Sequence, residues 1–300
     1  KYFYIFFIFV NLIIAMRFYF AYKSGNAMYH GSKPGDASLG FLANADDLGL
    51  GMVVALSFSL IPILYAKRIV FKIISLGISG LFILSALGTQ SRGAIFGIFA
   101  VFISTIIYNL KFNGLGLKKF GSGLLILLVL FSGFIYKYRW AVQESYNTAI
   151  NEEDAGRLGR QYTWEAARQM IKDSPLIGIG RGNFVSYWQA NYPPGIFGYQ
   201  VAHNVLYEVT AEIGILGLAF FLFFSLYGLT QLKHMHKHHK EALGKKPFLE
   251  MMFTIYVVGL IGFFLNGMFI TVAFYWHIYV LVAFFVSARN IFLKEAGHER

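Results

Sequence analysis

Cysteine is absent from these 300 residues, which excludes disulfide staples, thiolate nucleophiles and thiolate metal sites. Charge is scarce as well: Asp, Glu, Lys and Arg make up 14% of the chain, where a soluble domain carries about a quarter. Acidic residues are the rarer sign, 15 against 26 Lys and Arg, which leaves a formal net charge of +11. The rest is apolar, with 57% hydrophobic and 18% aromatic residues. Such a chain lacks the polar surface needed to stay in water, and a backbone in lipid must satisfy its own hydrogen bonds. The fold expected is therefore all-α, a polytopic transmembrane helix bundle. A soluble domain this basic would suggest a nucleic-acid partner. Here the ordinary basic bias of cytoplasmic loops explains about half of the excess, and no nucleic acid is expected.

A span needs about 20 mostly apolar residues. About eight stretches qualify: 2–22, 48–66, 69–89, 94–110, 120–136, 205–232, 248–269 and 271–288. The last two read as a helical hairpin broken near Asn266-Gly267. Lys1 leads straight into Tyr-Phe-Tyr-Ile-Phe-Phe-Ile-Phe-Val, too long for a signal-peptide core and without a small-residue cleavage site. The expectation is a single transmembrane domain over 1–300 that lacks its N-terminal spans, with one large external loop, 137–203, inside it.

The basic residues sort largely by type. Lysines such as Lys67, Lys111, Lys119, Lys233, Lys245 and Lys294, with Arg68 and Arg289 among them, fall in short connections on one side, the positive-inside signature of the cytoplasmic face. Arg17, Arg92, Arg139, Arg157, Arg160, Arg168 and Arg181 fall on the other. Orientation needs only positive charge, whereas bidentate recognition of phosphate or carboxylate asks for arginine. The plainer explanation pairs these arginines with Glu144, Glu152, Glu153, Asp154, Glu165 and Asp173 on a solvated surface.

Two external segments are long. The first, 23–47, is rich in Gly, Ser and Asn and reads as mobile. The second, 137–203, is too long to be structureless. Within it, residues 161–172 read as an amphipathic helix on the membrane surface, with Trp164, Ala167, Met170 and Ile171 on one stripe and Ser174-Pro175 as the stop.

Several motifs carry chemistry, each with a plainer reading beside it. Arg92 follows a long apolar run and has Gly93 next to it, which suits an anion clamp or a snorkelling arginine. Arg157 and Arg160 flank Gly159 at a helix start, where cations oppose the helix dipole unless an anion lies near; the acidic run 152–154 could be that anion. Asn204 is a good N-cap for the span that follows, which puts His203 just outside the hydrocarbon near helix-end N–H groups that favour anions. Glu208 and Glu212 follow Asn204 at steps of four, on one helix face, as candidates for positioning the arginines or the histidine. Gly178-Ile-Gly-Arg-Gly-Asn lacks the strand and helix of a dinucleotide loop and reads as a flexible turn carrying Arg181. Asp46-Asp47 and the run His234-Met-His-Lys-His-His-Lys could hold a metal, but the first is an ordinary first-turn acidic pair and the second lies on the cytoplasmic side; no metal site is expected.

Three of these pieces together resemble the O-antigen ligase and O-antigen polymerase superfamily of bacterial membrane glycosyltransferases. They are Ser91-Arg92-Gly93-Ala94, Arg160-Gln-Tyr-Thr-Trp164 with its continuation to Phe184, and His203-Asn204 followed by Glu212-Ile-Gly-Ile-Leu-Gly-Leu218. The resemblance covers roughly residues 46–224. It implies a multi-pass protein of the bacterial inner membrane with its active site facing the periplasm. The donor it implies is an undecaprenyl-diphosphate-linked glycan, and the acceptor is a glycolipid such as lipid A-core or another glycan. The family's arginines and histidine fall on Arg92, Arg160 and His203 as catalytic residues; Arg157, Trp164, Arg181, Asn204, Glu208 and Glu212 surround them as substrate-binding candidates. No cofactor is implied, because the donor arrives already activated and arginine forks can stabilise charge developing on the diphosphate. His203 then either completes that clamp or accepts the proton of the incoming hydroxyl. A ligase and a polymerase share this donor and differ in acceptor. Two other classes compete: an anion transporter, which would need polar residues deep in the spans, and a non-catalytic subunit of a polysaccharide assembly complex, which would tolerate loss of His203.

Overall fold

A computed structural model describes residues 2–24, 28–30, 33–35, 44–113, 155–192 and 201–295. Helix α1 (Tyr2–Lys23) is followed by a two-stranded antiparallel ribbon, β1 (Met28–His30) and β2 (Lys33–Gly35). Next come α2 (Ala45–Leu60), the single turn α3 (Pro62–Tyr65), α4 (Ile69–Gly88) and α5 (Arg92–Tyr108), which closes in a π-helical turn, Asn109–Asn113. After an interval outside the described residues come α6 (Ala155–Asp173), α7 (Phe184–Asn191), α8 (Val205–His238), α9 (Lys240–Gly244), α10 (Pro247–Gly267) and α11 (Trp276–Glu295).

Seven helical stretches among the described residues are long and apolar enough to cross a membrane: α1, α2 with α3, α4, α5 with its π turn, α8, α10 and α11. The chain is thus an all-α polytopic helix bundle. The eighth expected span, 120–136, lies outside the described residues, as do Arg139, Glu144 and the acidic run 152–154. Helix α2 is apolar all round and is buried from Leu48 to Leu60, so it forms the axis of the bundle, with α1, α4, α5 and α10 packed about it. Small residues set how closely those helices approach. A β-carbon on Gly97 would lie 2.8 Å from the Val53 side chain, and one on Gly262 would lie 2.8 Å from Val101, so α2, α5 and α10 meet almost backbone to backbone.

The described spans run in both directions and give the bundle two unlike ends. The C-termini of α1, α4 and α10 and the N-termini of α2, α5, α8 and α11 share the end that carries residues 155–192, called here the loop end. Lys67, Lys111, Lys237, Lys245, Lys246 and Lys294 mark the opposite, lysine end.

Three expectations need correction. The last span is not 271–288 but Trp276–Glu295, and residues 268–275 form a connector outside any helix. That connector reads Met-Phe-Ile-Thr-Val-Ala-Phe-Tyr, apolar enough to pass for membrane helix. The amphipathic helix placed at 161–172 runs from Ala155 to Asp173. Helix α8 is longer than the expected 205–232 and is broken at Gly214, which has φ 72° and ψ −175°.

Candidate functional site

The sequence places asparagine or serine immediately before three spans, and each side chain caps its helix at the loop end. Asn44 Oδ1 accepts from Asp46 N at 2.9 Å. Ser91 Oγ accepts from Ala94 N at 3.4 Å. Asn204 Oδ1 accepts from Leu206 N at 2.9 Å and from Tyr207 N at 3.1 Å, as expected of an N-cap. Directly before two of these caps stand Gln90 (φ 55°) and His203 (φ 48°), the two non-glycine residues with positive φ among the described residues. The left-handed region costs a side-chain-bearing residue roughly 1–2 kcal/mol, so the surroundings must enforce it. The sequence pieces Ser91-Arg92 and His203-Asn204 therefore share one backbone device: a left-handed residue that turns the chain sharply into a capped helix.

The connector between α10 and α11 brings these pieces together. Thr271 Oγ1 accepts from His203 N at 2.8 Å, and Met268 O accepts from Asn204 Nδ2 at 3.3 Å. On its other flank, Gly93 lies against Asn266 and Phe269: a β-carbon there would sit 2.7 Å from Asn266 Oδ1 and 3.3 Å from Phe269 Cβ. The connector is fixed further by Glu208, whose Oε2 accepts from Ala273 N at 3.0 Å, and by Asp47, whose Oδ2 accepts from Tyr275 Oη at 3.0 Å. Arg92 and His203 are both half-buried, at a helix start and immediately before one respectively.

Helix α6 approaches from the side and packs on α8. Its buried face is Thr163, Ala166, Ala167 and Met170, which meets Ala202, Ala211, Phe184 and Trp188 in a second small core. Trp164 Nε1 donates to Ala202 O at 3.1 Å, one residue before His203. Arg160 lies one turn before Trp164 on the same helix face and is half-buried. On the outer face Arg168 pairs with Glu165 and donates to Tyr207 Oη at 3.3 Å. The guanidinium holds the exposed Glu165 carboxyl below the usual carboxylate range. Tyr187 on α7 donates to Asp173 Oδ2 at 2.6 Å, and that hydrogen bond to the carboxylate pushes its phenol up to about 12.

The turn expected at 178–183 closes with Asn183 N donating to Gly180 O and carries Arg181. The stretch leading into it, 175–180, lies along the break in α8 as a short piece of backbone ladder. Ile179 N donates to Ala211 O (3.0 Å), Gly180 N to Glu212 O (2.9 Å), Ile215 N to Pro175 O (2.9 Å) and Leu216 N to Leu176 O (3.3 Å). These bonds occupy backbone groups that the break would otherwise leave unpaired inside an apolar span. Two glycines permit the contact. A β-carbon on Gly178 would lie 2.3 Å from Glu212 C, and one on Gly214 would lie 2.2 Å from Leu176 O; both residues have positive φ.

The sequence candidates therefore separate into groups. Asn204 caps α8 and ties it to Met268. Glu208 and Glu212 are buried, but each holds a backbone amide: Glu208 that of Ala273, and Glu212 that of Phe184, through Oε1 at 3.4 Å, at the start of α7. In these bonds they position the connector and α7, not an arginine or the histidine as expected. Arg181 is exposed, and its guanidinium lies 4.6 Å from the centre of the Phe274 ring. The side chain of Arg157 lies outside the described residues. No cluster of three or more His, Asp or Glu residues suited to a metal occurs among the described residues; His234, His236, His238 and His239 sit at the lysine end.

Thr271, Asp47, Tyr275 and Asn266 belong to this end of the bundle and were not among the sequence-derived site residues. An apolar groove of about 680 Å³ between α5 and α10 reaches the same corner, lined there by Phe96, Leu265, Met268 and Phe269 and at the lysine end by Tyr108, Lys111 and Phe112. Residues 77–222 match the model of the family described as O-Antigen ligase. No curated protein matches the chain.

Proposed function

We propose, from the membership of this chain in the O-antigen ligase superfamily through residues 77–222, that it transfers a glycan from a lipid diphosphate to a hydroxyl acceptor at the loop end of the bundle. Family members are glycosyltransferase-like enzymes that act on polysaccharides, and this chain is a multi-pass membrane protein of that kind. The finer reading is that the donor is undecaprenyl-diphosphate-linked, the acceptor is lipid A-core or a similar glycolipid, and the loop end faces the periplasm of a bacterial inner membrane. The observation that carries this reading is the shared connector, to which Ser91–Gly93, His203–Asn204 and, through Trp164 and Ala202, the Arg160 turn are all joined. The lysine-rich opposite end supports the orientation by the positive-inside rule.

In this reading Arg92 and Arg160 grip the diphosphate, and the isoprenoid chain lies in the groove between α5 and α10. The acceptor hydroxyl attacks the anomeric carbon, a new C–O bond forms, and the bond to the diphosphate breaks with its electron pair going to the phosphate oxygen. His203 takes the hydroxyl proton. Charge that develops on the leaving diphosphate meets preorganised guanidinium forks at a water-poor boundary, where one such donor is worth roughly 3 kcal/mol. In-line attack inverts the anomeric centre. The test is release of undecaprenyl diphosphate and glycosylated acceptor by the purified chain in nanodiscs: transfer that depends on Arg92, Arg160 and His203 supports the proposal, and full transfer without them refutes it. Deleting the gene then separates ligase from polymerase, since loss of all attached polymer marks a ligase and single-repeat product marks a polymerase. A proteoliposome that moves an anion without transfer would favour transport instead.

A further inference from the structure

We propose that Asn266 is a donor-binding residue, its side-chain amide donating to the lipid diphosphate beside Arg92; this rests on the reading of the loop end as a lipid-diphosphate site.

Asn266 sits in the last turn of α10 and is 0% exposed. Neither its Nδ2 nor its Oδ1 has a hydrogen-bond partner among the described residues. Other buried asparagines behave differently. Asn11 and Asn109 each fold the amide back onto a carbonyl of their own helix, at 2.8 Å and 2.7 Å, and Asn204 uses both amide atoms. A helical asparagine thus has an easy local partner four residues back, and Asn266 does not take it. Leaving both atoms of a buried amide unpaired costs free energy, and an apolar residue of the same shape would avoid the cost. Within an otherwise apolar helix, such a residue calls for a partner not found among the described residues.

Its position says what that partner is. The Oδ1 atom lies 2.7 Å from the point a β-carbon on Gly93 would take, and the Asn266 carbonyl oxygen lies 3.2 Å from it. The amide therefore faces bare backbone in the first turn of α5, next to Arg92. First-turn N–H groups carry the positive end of the helix dipole, so a group brought there is favoured if it is anionic. The atom turned to Gly93 is Oδ1, but with no partner holding it the amide can make a half-turn about its last torsion, and Nδ2–H₂ then adds two neutral donors to that field. The apolar groove ends nearby, lined by Phe96 on α5 and by Leu265 and Met268, the near neighbours of Asn266 in sequence, although Asn266 itself is not part of that lining. An amphiphile with an apolar chain and an anionic head fits this arrangement, and a free anion would leave the groove unused. Phe269, whose ring stacks on Phe96 at 5.1 Å, shares the space beside Gly93 and must turn aside as the head enters.

The test is thermal unfolding of the full chain in nanodiscs, titrated with undecaprenyl diphosphate, for the wild type and for N266L. Leucine matches the shape and has no donor. The proposal predicts that N266L has an unfolding midpoint equal to or above that of the wild type and needs at least tenfold more lipid for half of the stabilising shift. Should N266L misassemble, N266A, which can clash with nothing, is titrated in its place and must show the same tenfold loss. A wild-type dose response in the variant overturns the proposal, whatever the midpoint does. Absence of any shift in the wild type overturns the donor reading and this proposal with it, so the two failures are told apart.

Discussion

The two ends of this bundle are built on different principles. At the lysine end, α4 and α10 begin after Arg68 and Lys246, neither of which makes a side-chain cap. The ion pairs there, Lys245 with Glu241 and Lys246 with Glu295, join partly or fully exposed groups on short stretches of surface. Such pairs are worth about 0–1 kcal/mol and set no fixed geometry. At the loop end, α2, α5 and α8 begin on Asn44, Ser91 and Asn204, each hydrogen-bonded to its own first turn. Two left-handed residues precede caps, two buried carboxylates hold loop amides, and a backbone ladder fills a helix break. Positive charge that only orients a chain in a membrane tolerates loose placement. Chemistry on a diphosphate requires donors held in place before the substrate arrives. In the proposed reading, structural precision marks the loop end as the working end more clearly than charge does, since both ends are basic.

The comparison can be broken by mutation, and the largest effect should come from the ladder. Gly214→Ala or Gly178→Ala puts a methyl group within 2.5 Å of backbone atoms that have nowhere to move. We expect a loss of more than about 3 kcal/mol, read as aggregation on size exclusion or a collapsed unfolding midpoint; a well-folded G214A would mean that the ladder is incidental. Next is Arg160→Lys, which keeps the charge and loses the fork. Transfer should fall by a factor of about 10² or more at normal membrane levels, and near-normal transfer would remove Arg160 from the site. His203→Ala should cost a comparable factor of about 10² in rate. The wild-type rate should drop as the pH falls from about 8 to 5, because a protonated imidazole cannot accept the hydroxyl proton. The variant should lose that dependence; a pH profile identical to wild type would deny His203 the proton. Asn204→Ala removes a cap and the tie to Met268, with an expected loss of about 1–2 kcal/mol in thermal unfolding. Lys245→Ala should be the mildest, within about 0.5 kcal/mol and without effect on transfer.

Much of this architecture is written in the sequence. Long apolar runs give the spans because lipid admits few alternatives, and the bias of lysine to one side gives their direction. Asn204 is recognisable as a cap because a short polar side chain before an apolar run has few other uses. The stripe Trp164, Ala167 and Met170 gives α6 its period, although its true start at Ala155 is hidden because that first turn is not apolar. Two features are not legible, for a common reason. Residues 268–275 look like membrane helix, and their turning, non-helical path is held by bonds from His203, Asn204, Glu208 and Asp47, up to 228 residues distant in sequence. The docking of 175–180 into the break at Gly214 is made by backbone atoms, which leave no side-chain signature beyond the glycines that allow it. The partners of Glu208 and Glu212 are hidden in the same way: a buried carboxylate suggests an arginine, and at these positions backbone amides of the connector and of α7 donate to it.

In the proposed function, arginine side chains at the loop end hold a lipid diphosphate. The most direct test of this is the affinity of the purified chain for undecaprenyl diphosphate against undecaprenol, in the wild type and in R92A and R160A. The wild type should prefer the diphosphate by at least tenfold, and each variant should lose most of that preference. Equal affinity for the two lipids in the wild type, or an undiminished preference in both variants, would contradict it.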